Sequence, residues 1–237
     1  MKLKCVGSGS KGNCYILQDN DNQILLLDLG LPLPIIKQAL NYQIKGIVGA
    51  VITHQHKDHS LSVKNLEDMG IKVFKPYLQK NISCQEVIFG NYRVIAFDLT
   101  TIDGKWTHSN ADCSLCPCYG VYIEHKEIGK MLYITDTSYI KWTFNGVSNI
   151  LISCNYIKEL IYEDTVKSKH VIQGHMELQT CKDFIKSCDN DKLKNVILCH
   201  LSEDNSNIEI MINEIKSVTH SDTNIDYARK NVEWRLN

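Results

Sequence analysis

Four short apolar runs in this chain each end on a residue able to hold a metal ion: QILLLD at Asp28, GAVITH at His54, MLYITD at Asp136 and NVILCH at His200. Runs this short, rich in Leu, Ile and Val and bounded by Gly, Asp or Asn, read as buried strands rather than amphipathic helices. Helices are expected at 32–41, 60–69, 179–188 and 206–217, with Ser60 placed to cap the second and Gly70 to end it. Strands alternating with helices around a buried sheet indicate a layered α/β fold. Donor groups at several strand ends put a candidate site along one sheet edge, where such folds bind ligands.

The 237 residues suit a single domain spanning 1–237, with no repeat, low-complexity linker or charge block to divide it. A net charge of −1 provides no global field for a polyanion, and Lys outnumbers Arg 23 to 3. The first residues lack the apolar core of a signal peptide, and no run of about 18 apolar residues predicts a membrane span. With ten Cys lying mostly in apolar segments, reduced thiols in a cytoplasmic protein are expected rather than a disulfide scaffold.

The densest feature is VITHQHKDHS, which places His54, His56, Asp58 and His59 within six positions. In extended chain His54 and His56 share a side and can grip one ion. Asp58 and His59 lie where the chain turns into a helix and can face a second. Imidazole and carboxylate donors suit zinc or manganese.

His-x-His-x-Asp-His is the signature of the metallo-β-lactamase-fold hydrolases, and the chain resembles them over most of its length. GSGSKGN, LLDLG, ITDTSYI, GHMELQT and ILCHLSEDNSN look like the small single-domain branch that contains WalJ-like DNA exonucleases and related phage phosphodiesterases. The resemblance implies an αββα sandwich, two mixed β-sheets flanked by helices, with two divalent metal ions, zinc or manganese, at one edge. It implies that His54 and His56 bind the first metal, Asp58, His59 and His200 the second, and Asp136 bridges both. Asp28 is then the carboxylate that orients the metal motif.

A third histidine for the first metal has two candidates, His108 and His125. CYGVYIEHKEIGKMLYITD reads as a hairpin with strands at 119–124 and 131–135. His125 falls in its turn, about five residues or ~17 Å from Asp136, whereas His108 lies in the loop feeding the correct end. His108 is therefore the expected ligand. That loop also carries Cys113, Cys116 and Cys118, expected to be reduced packing thiols rather than a zinc site. His175, expected to open a helix, resembles a histidine that in ribonuclease Z relatives contacts the scissile phosphate or protonates the leaving oxygen. His170 and His220 read as surface residues. GSGSKG lacks a full phosphate-loop pattern and reads as a tight turn.

These readings imply a two-metal phosphodiesterase in which a metal-bridging hydroxide attacks a nucleotide phosphodiester, with Asp58 and His175 as the catalytic candidates. The substrate is expected to be a nucleic-acid end or a cyclic nucleotide, and a homodimer is an open expectation. The competing reading is a thioester or lactone hydrolase of the same fold.

Overall fold

Every second residue of the central strands faces a different core, and this alternation builds the architecture. The computed structural model describes residues 1–79, 82–102, 105–110, 114–161 and 174–236. In chain order its elements are β1 (Lys2–Gly7), β2 (Cys14–Gln18), β3 (Ile24–Leu27), α1 (Leu33–Ala39), β4 (Ile47–Val51), α2 (Lys57–Ser60), α3 (Val63–Asp68), β5 (Val73–Phe74), β6 (Cys84–Phe89) and β7 (Tyr92–Asp98). Then follow β8 (Thr101–Ile102), β9 (Lys105–Trp106), β10 (Tyr119–His125), β11 (Gly129–Ile134), β12 (Asn149–Ser153), α4 (Leu178–Cys188), β13 (Asn195–Cys199), α5 (Ile208–Lys216), β14 (Asn224–Tyr227) and β15 (Glu233–Arg235).

One sheet has the order β15-β1-β2-β3-β4-β5 and the other β14-β13-β12-β11-β10-β7-β6, while β8 and β9 form a separate ribbon. Both large sheets are mixed: β3, β4 and β5 run parallel in the first, and β11 to β14 in the second. Leu25 and Leu27 of β3 meet Tyr133 of β11, Leu151 of β12 and Ile197 of β13 in the core between the sheets. Their alternates Ile24 and Leu26 pack outward with Ile36 of α1 and Leu66 of α3. On the far side, Leu132, Ile150 and Val196 pack with Phe184 of α4 and Met211 of α5. The result is the αββα four-layer sandwich expected from the sequence. Each fully buried Leu contributes about 1.5–3 kcal/mol to holding it together.

The parallel strands all deliver their C-terminal ends to one edge. Asp28 follows β3, His54 follows β4, Asp136 follows β11 and His200 follows β13. Because β10 is antiparallel to β11, with Val121 opposite Tyr133, Tyr119 also starts at this edge. His125 pairs with Gly129 at the opposite edge.

Two local expectations need correction. The helix expected at 60–69 is two short ones, and Ser60 ends the first instead of capping the second: its hydroxyl donates to the carbonyls of Gln55 and His56. Ser62 holds the cap position of α3, but its hydroxyl donates to the Leu31 carbonyl at 2.6 Å. This break lets the metal-motif turn fold back on the β3–α1 loop. His175 does not open a helix either; α4 starts at Leu178, capped by the Glu177 carboxylate, which accepts from the backbone of Gln179 and Thr180.

Candidate metal centre

The turn after β4 is fixed to the loop after β3 and to the β1–β2 turn by close backbone contacts, one of which only glycine allows. The Leu29 amide donates to the His59 carbonyl at 2.8 Å, and the Asn13 amide to the Asp58 carbonyl at 2.7 Å. A Cβ on Gly30 would lie 1.6 Å from the Asp58 carbonyl oxygen, so this approach excludes any side chain. The LLDLG stretch thus supplies both the carboxylate of Asp28 and the glycine against which Asp58 rests.

At this edge two clusters of donor groups result, while a third group, Asp19, His125 and Glu127, lies at the opposite edge. His54, His56 and His108 form one; Asp58, His59, Asp136 and His200 form the other. They adjoin at Asp136, whose Oδ2 lies 2.7 Å from His59 Nε2 and 3.8 Å from His54 Nε2. The other oxygen, Oδ1, lies 3.5 Å from His200 Nε2 and 3.4 Å from His175 Nδ1. Asp58 Oδ2 is 3.4 Å from His59 Nε2 and 3.8 Å from His200 Nε2. In the first cluster His108 Nε2 approaches His56 Nδ1 at 3.0 Å, and the His54 ring lies 4.8 Å from both the other rings, centroid to centroid. The structure thus brings together all seven residues expected to bind metal, with His175 beside them. His125 sits apart, with its Nε2 3.3 Å from Asp19 and its Nδ1 accepting from the Glu127 amide.

Three of the strand-end residues adopt left-handed backbone: Asp28 at φ 56°, Asp136 at φ 50° and His200 at φ 51°. Asp and His tolerate this region better than most residues, and strained backbone of this kind concentrates at functional sites. Here it turns each side chain out of its strand and across the sheet edge.

Supporting groups orient the rings. Asp28 Oδ2 accepts from His59 Nδ1 at 2.7 Å and from the Tyr133 hydroxyl at 2.6 Å, while Oδ1 accepts from the Thr53 amide. His108 Nδ1 donates to the Gly174 carbonyl at 3.1 Å, and the Thr53 hydroxyl lies 3.1 Å from His54 Nδ1. The Asn155 amide nitrogen donates to the His200 carbonyl at 2.7 Å and lies 3.0 Å from its Nδ1. Asn13 Nδ2 lies 2.9 Å from His59 Nε2, and Asn110 Oδ1 3.0 Å from His56 Nε2. Of these helpers, sequence reasoning found only Asp28. Asn155 carries a usable signal, since it follows the apolar run NILISC much as Asp28, Asp136 and His200 follow theirs.

The electrostatics separate the clusters. Burial, reinforced by His59 and His108, holds the His54 imidazole well below its ordinary value. Burial, with His56 and His175 adding to it, brings His108 down to about 4. Both are therefore neutral lone-pair donors near pH 7. Burial opposes charge on His59 and His200 too, but Asp28 and Asp136 outweigh it at His59, and Asp136 and Asp58 at His200, so both are raised. Burial likewise opposes ionisation of Asp136 and Asp58, yet the neighbouring histidines hold both carboxyls low.

The donor set fits divalent metal ions. His54 Nε2, Asp136 Oδ1 and His200 Nε2 are buried and make no hydrogen bond among the described residues. Polar atoms left so are costly unless an ion or water engages them, and they converge on the two clusters.

Among solved structures, the metallo-beta-lactamase fold protein YhfI from Bacillus subtilis is similar at a TM-score of 0.70, with 17% identity over 98% of each chain. The chain has the metallo-β-lactamase fold. The metallo-beta-lactamase superfamily model matches residues 7–70, from the end of β1 through the His-x-His-x-Asp-His turn and α3. Within this fold, the chain is also similar to human tRNase Z, short form, at a TM-score of 0.60 with 13% identity over all of both chains. The corresponding values for unliganded yeast PDE1 are 0.66 and 12% over 97% of each chain. No curated protein sequence matches the chain.

The remaining candidates are peripheral or lie elsewhere. Cys116 and Cys118 are buried in the loop before β10, and burial raises both thiols, Cys116 to about 11. Cys113 and His170 lie outside the described residues. His220 is exposed and pairs with Asp189 at 2.8 Å. GSGSKG is the β1–β2 turn, with Gly9 and Gly12 at positive φ. Among the described residues, no helix is long and apolar enough to cross a membrane.

Proposed function

We propose that this protein is a two-metal phosphodiesterase acting on nucleotide phosphodiesters, related to the WalJ-like and phage phosphodiesterase branch of its fold. The observation that carries the reading is His175 Nδ1 at 3.4 Å from Asp136, the member of the second cluster at which the first adjoins it. An imidazole standing there, beside seven metal-capable groups, is positioned to act on a leaving oxygen. Among structures of similar fold, the names tRNase Z and PDE1 point the same way.

In this reading His54, His56 and His108 would hold one divalent ion and Asp58, His59 and His200 the other, with the Asp136 carboxylate within reach of both groups. Zinc or manganese suits the nitrogen and carboxylate donors. When bound, the ions supply positive charge against the phosphoryl oxygens and make a water acidic enough to serve as nucleophile near neutral pH. The chain does the rest. His54 and His108 present lone pairs without first losing a proton. Asp28 fixes the direction in which His59 points. Asp58, at one end of the second cluster, aligns the attacking side, and His175 delivers a proton to the departing oxygen. A nucleotide is the proposed substrate, the protein is proposed to work in the cytoplasm, and a homodimer is the proposed assembly.

The test is purified protein assayed for bound metal and for hydrolysis with manganese or zinc. The panel comprises single- and double-stranded DNA, RNA, cyclic mononucleotides, cyclic dinucleotides and an acyl thioester. Close to two ions per chain and cleavage of a nucleotide phosphodiester are expected. A loaded protein that cleaves only the thioester rejects the reading.

A further inference from the structure

The two sides of the centre are unlike. On the side of the second cluster, a cleft of about 340 Å³ is lined by polar groups of the β1–β2 turn and the loop after His200, including Ser10, Ser202 and Glu203. Its Lys11 is already paired with Glu203 at 2.8 Å. On the side of the first cluster, a larger cleft of about 700 Å³ opens beside Gln55, the residue between His54 and His56. Its lining includes Tyr77, Tyr119 and Pro117 together with the aliphatic Leu78 and Ile82, and the polar Thr100 and Asp98. Tyr119 is anchored to the metal turn, its amide donating to the Thr53 carbonyl at 3.1 Å.

Charge decides what this larger cleft can take. Among the described residues, its wall has no Lys or Arg, and its one charged group is the Asp98 carboxylate. Lys141 near the rim is engaged by Asp98 at 3.7 Å and by the Thr101 carbonyl at 3.4 Å. Among the described residues, a phosphate placed in the cleft would meet a carboxylate and no uncompensated cation. A nucleic-acid strand needs a row of cations along its backbone, and neither cleft offers one among the described residues. A largely uncharged lining of Tyr, Pro and aliphatic residues with a few hydrogen-bonding groups suits instead an uncharged planar ring that carries its own donors and acceptors. The cleft volume is of the size that encloses a small ligand.

We propose that the cleft beside Gln55 seats the nucleobase of a small nucleotide substrate, so that the phosphodiester attached to it reaches the paired clusters. The site then selects mononucleotide-scale diesters over polymer strands. This rests on the phosphodiesterase reading above, but the base seat can be tested without any hydrolysis.

The experiment titrates the full-length, metal-loaded protein with adenosine, cytidine and ribose, following binding by calorimetry and amide chemical shifts. None of these carries a phosphodiester, so the outcome does not depend on whether the protein cleaves one. Both nucleosides are expected to bind in the millimolar range, shifting the amides of Gln55, Tyr77 and Thr100, while ribose does not. Ser83, an exposed residue on the cleft wall, provides the control. Ser83→Trp should fill the cleft and weaken nucleoside binding at least tenfold, and Ser83→Ala should leave it unchanged. The proposal is overturned if nucleosides do not bind, or if they bind wild type and Ser83→Trp equally. It is equally overturned if a medium-chain acyl thioester, and no nucleoside, competes for the cleft.

Discussion

Asp28 Oδ2 and His59 Nδ1 are 2.7 Å apart, both fully buried, one reaching from the end of β3 and the other from α2. The carboxylate fixes which imidazole nitrogen carries the proton and leaves Nε2 facing the second cluster. Asp28→Asn keeps the shape but removes the charge. It should lower metal affinity about 10- to 100-fold, measured by competition with a chelator of known affinity. Unchanged affinity would show that Asp28 serves the fold alone.

His108 and His125 should fail differently. His108→Ala removes a member of the first cluster, so metal content and hydrolysis should fall together. His125→Ala should keep both and instead lose about 1–3 kcal/mol of stability, because the buried Asp19 carboxylate loses one of its hydrogen-bond partners. Metal analysis and urea unfolding of the two variants decide the matter, and the reverse ranking would overturn the assignment.

His175→Ala should retain both ions and lose roughly 10²–10⁴ in turnover if the imidazole protonates the leaving oxygen. The loss should be smaller on a nitrophenyl phosphodiester, whose leaving group needs less help. An equal loss on good and poor leaving groups would remove the proton-donor role.

Gly30→Ala should destabilise the protein by about 2–4 kcal/mol, since a methyl there collides with the Asp58 backbone. Metal affinity should drop as well, because the turn carrying Asp58 and His59 must move. A variant with wild-type melting and metal content would mean that the two loops are not held together as described.

Acid sensitivity away from the centre has a definite sign. Burial opposes ionisation of Asp19, but hydrogen bonds from Asn91, from the Gln23 amide and from His125 hold its carboxyl below the ordinary value. A depressed carboxyl contributes stability above the unfolded value of about 3.9, and that contribution disappears as pH falls through the folded value. Asp19→Asn should therefore be less stable near neutrality and show a flatter loss of stability below about pH 4. Denaturant unfolding across that range checks it; parallel curves for both proteins would show that Asp19 has no such role.

The sandwich was legible because its information is local. Apolar runs of strand length, each ending on a donor residue, mark the parallel strands and the edge where they finish, and the hairpin reading placed His125 at the far edge. What was not legible depends on long-range packing. Asn13 lies 46 residues from His59, and nothing in GSGSKGN distinguishes an asparagine that meets an imidazole from one that only makes a turn. The break between α2 and α3 was missed for a similar reason. Ser60 has the chemistry of a helix cap, but the backbone bonds of Leu29 and Asn13 to the motif turn decide where the helix stops.

The left-handed backbone at Asp28, Asp136 and His200 sets the requirements of the fold against those of the chemistry. A non-glycine residue in that region costs about 1 kcal/mol or more, and glycine would relieve it at each position. At Asp136 and His200 the backbone thus works against side chains that close the second cluster, whereas at Asp28 the buried hydrogen bonds to His59 and Tyr133 offset the strain. If the proposed chemistry were no longer needed, a descendant would gain robustness by shedding donor groups first at Asp136 and His200, with the layers behind them left intact.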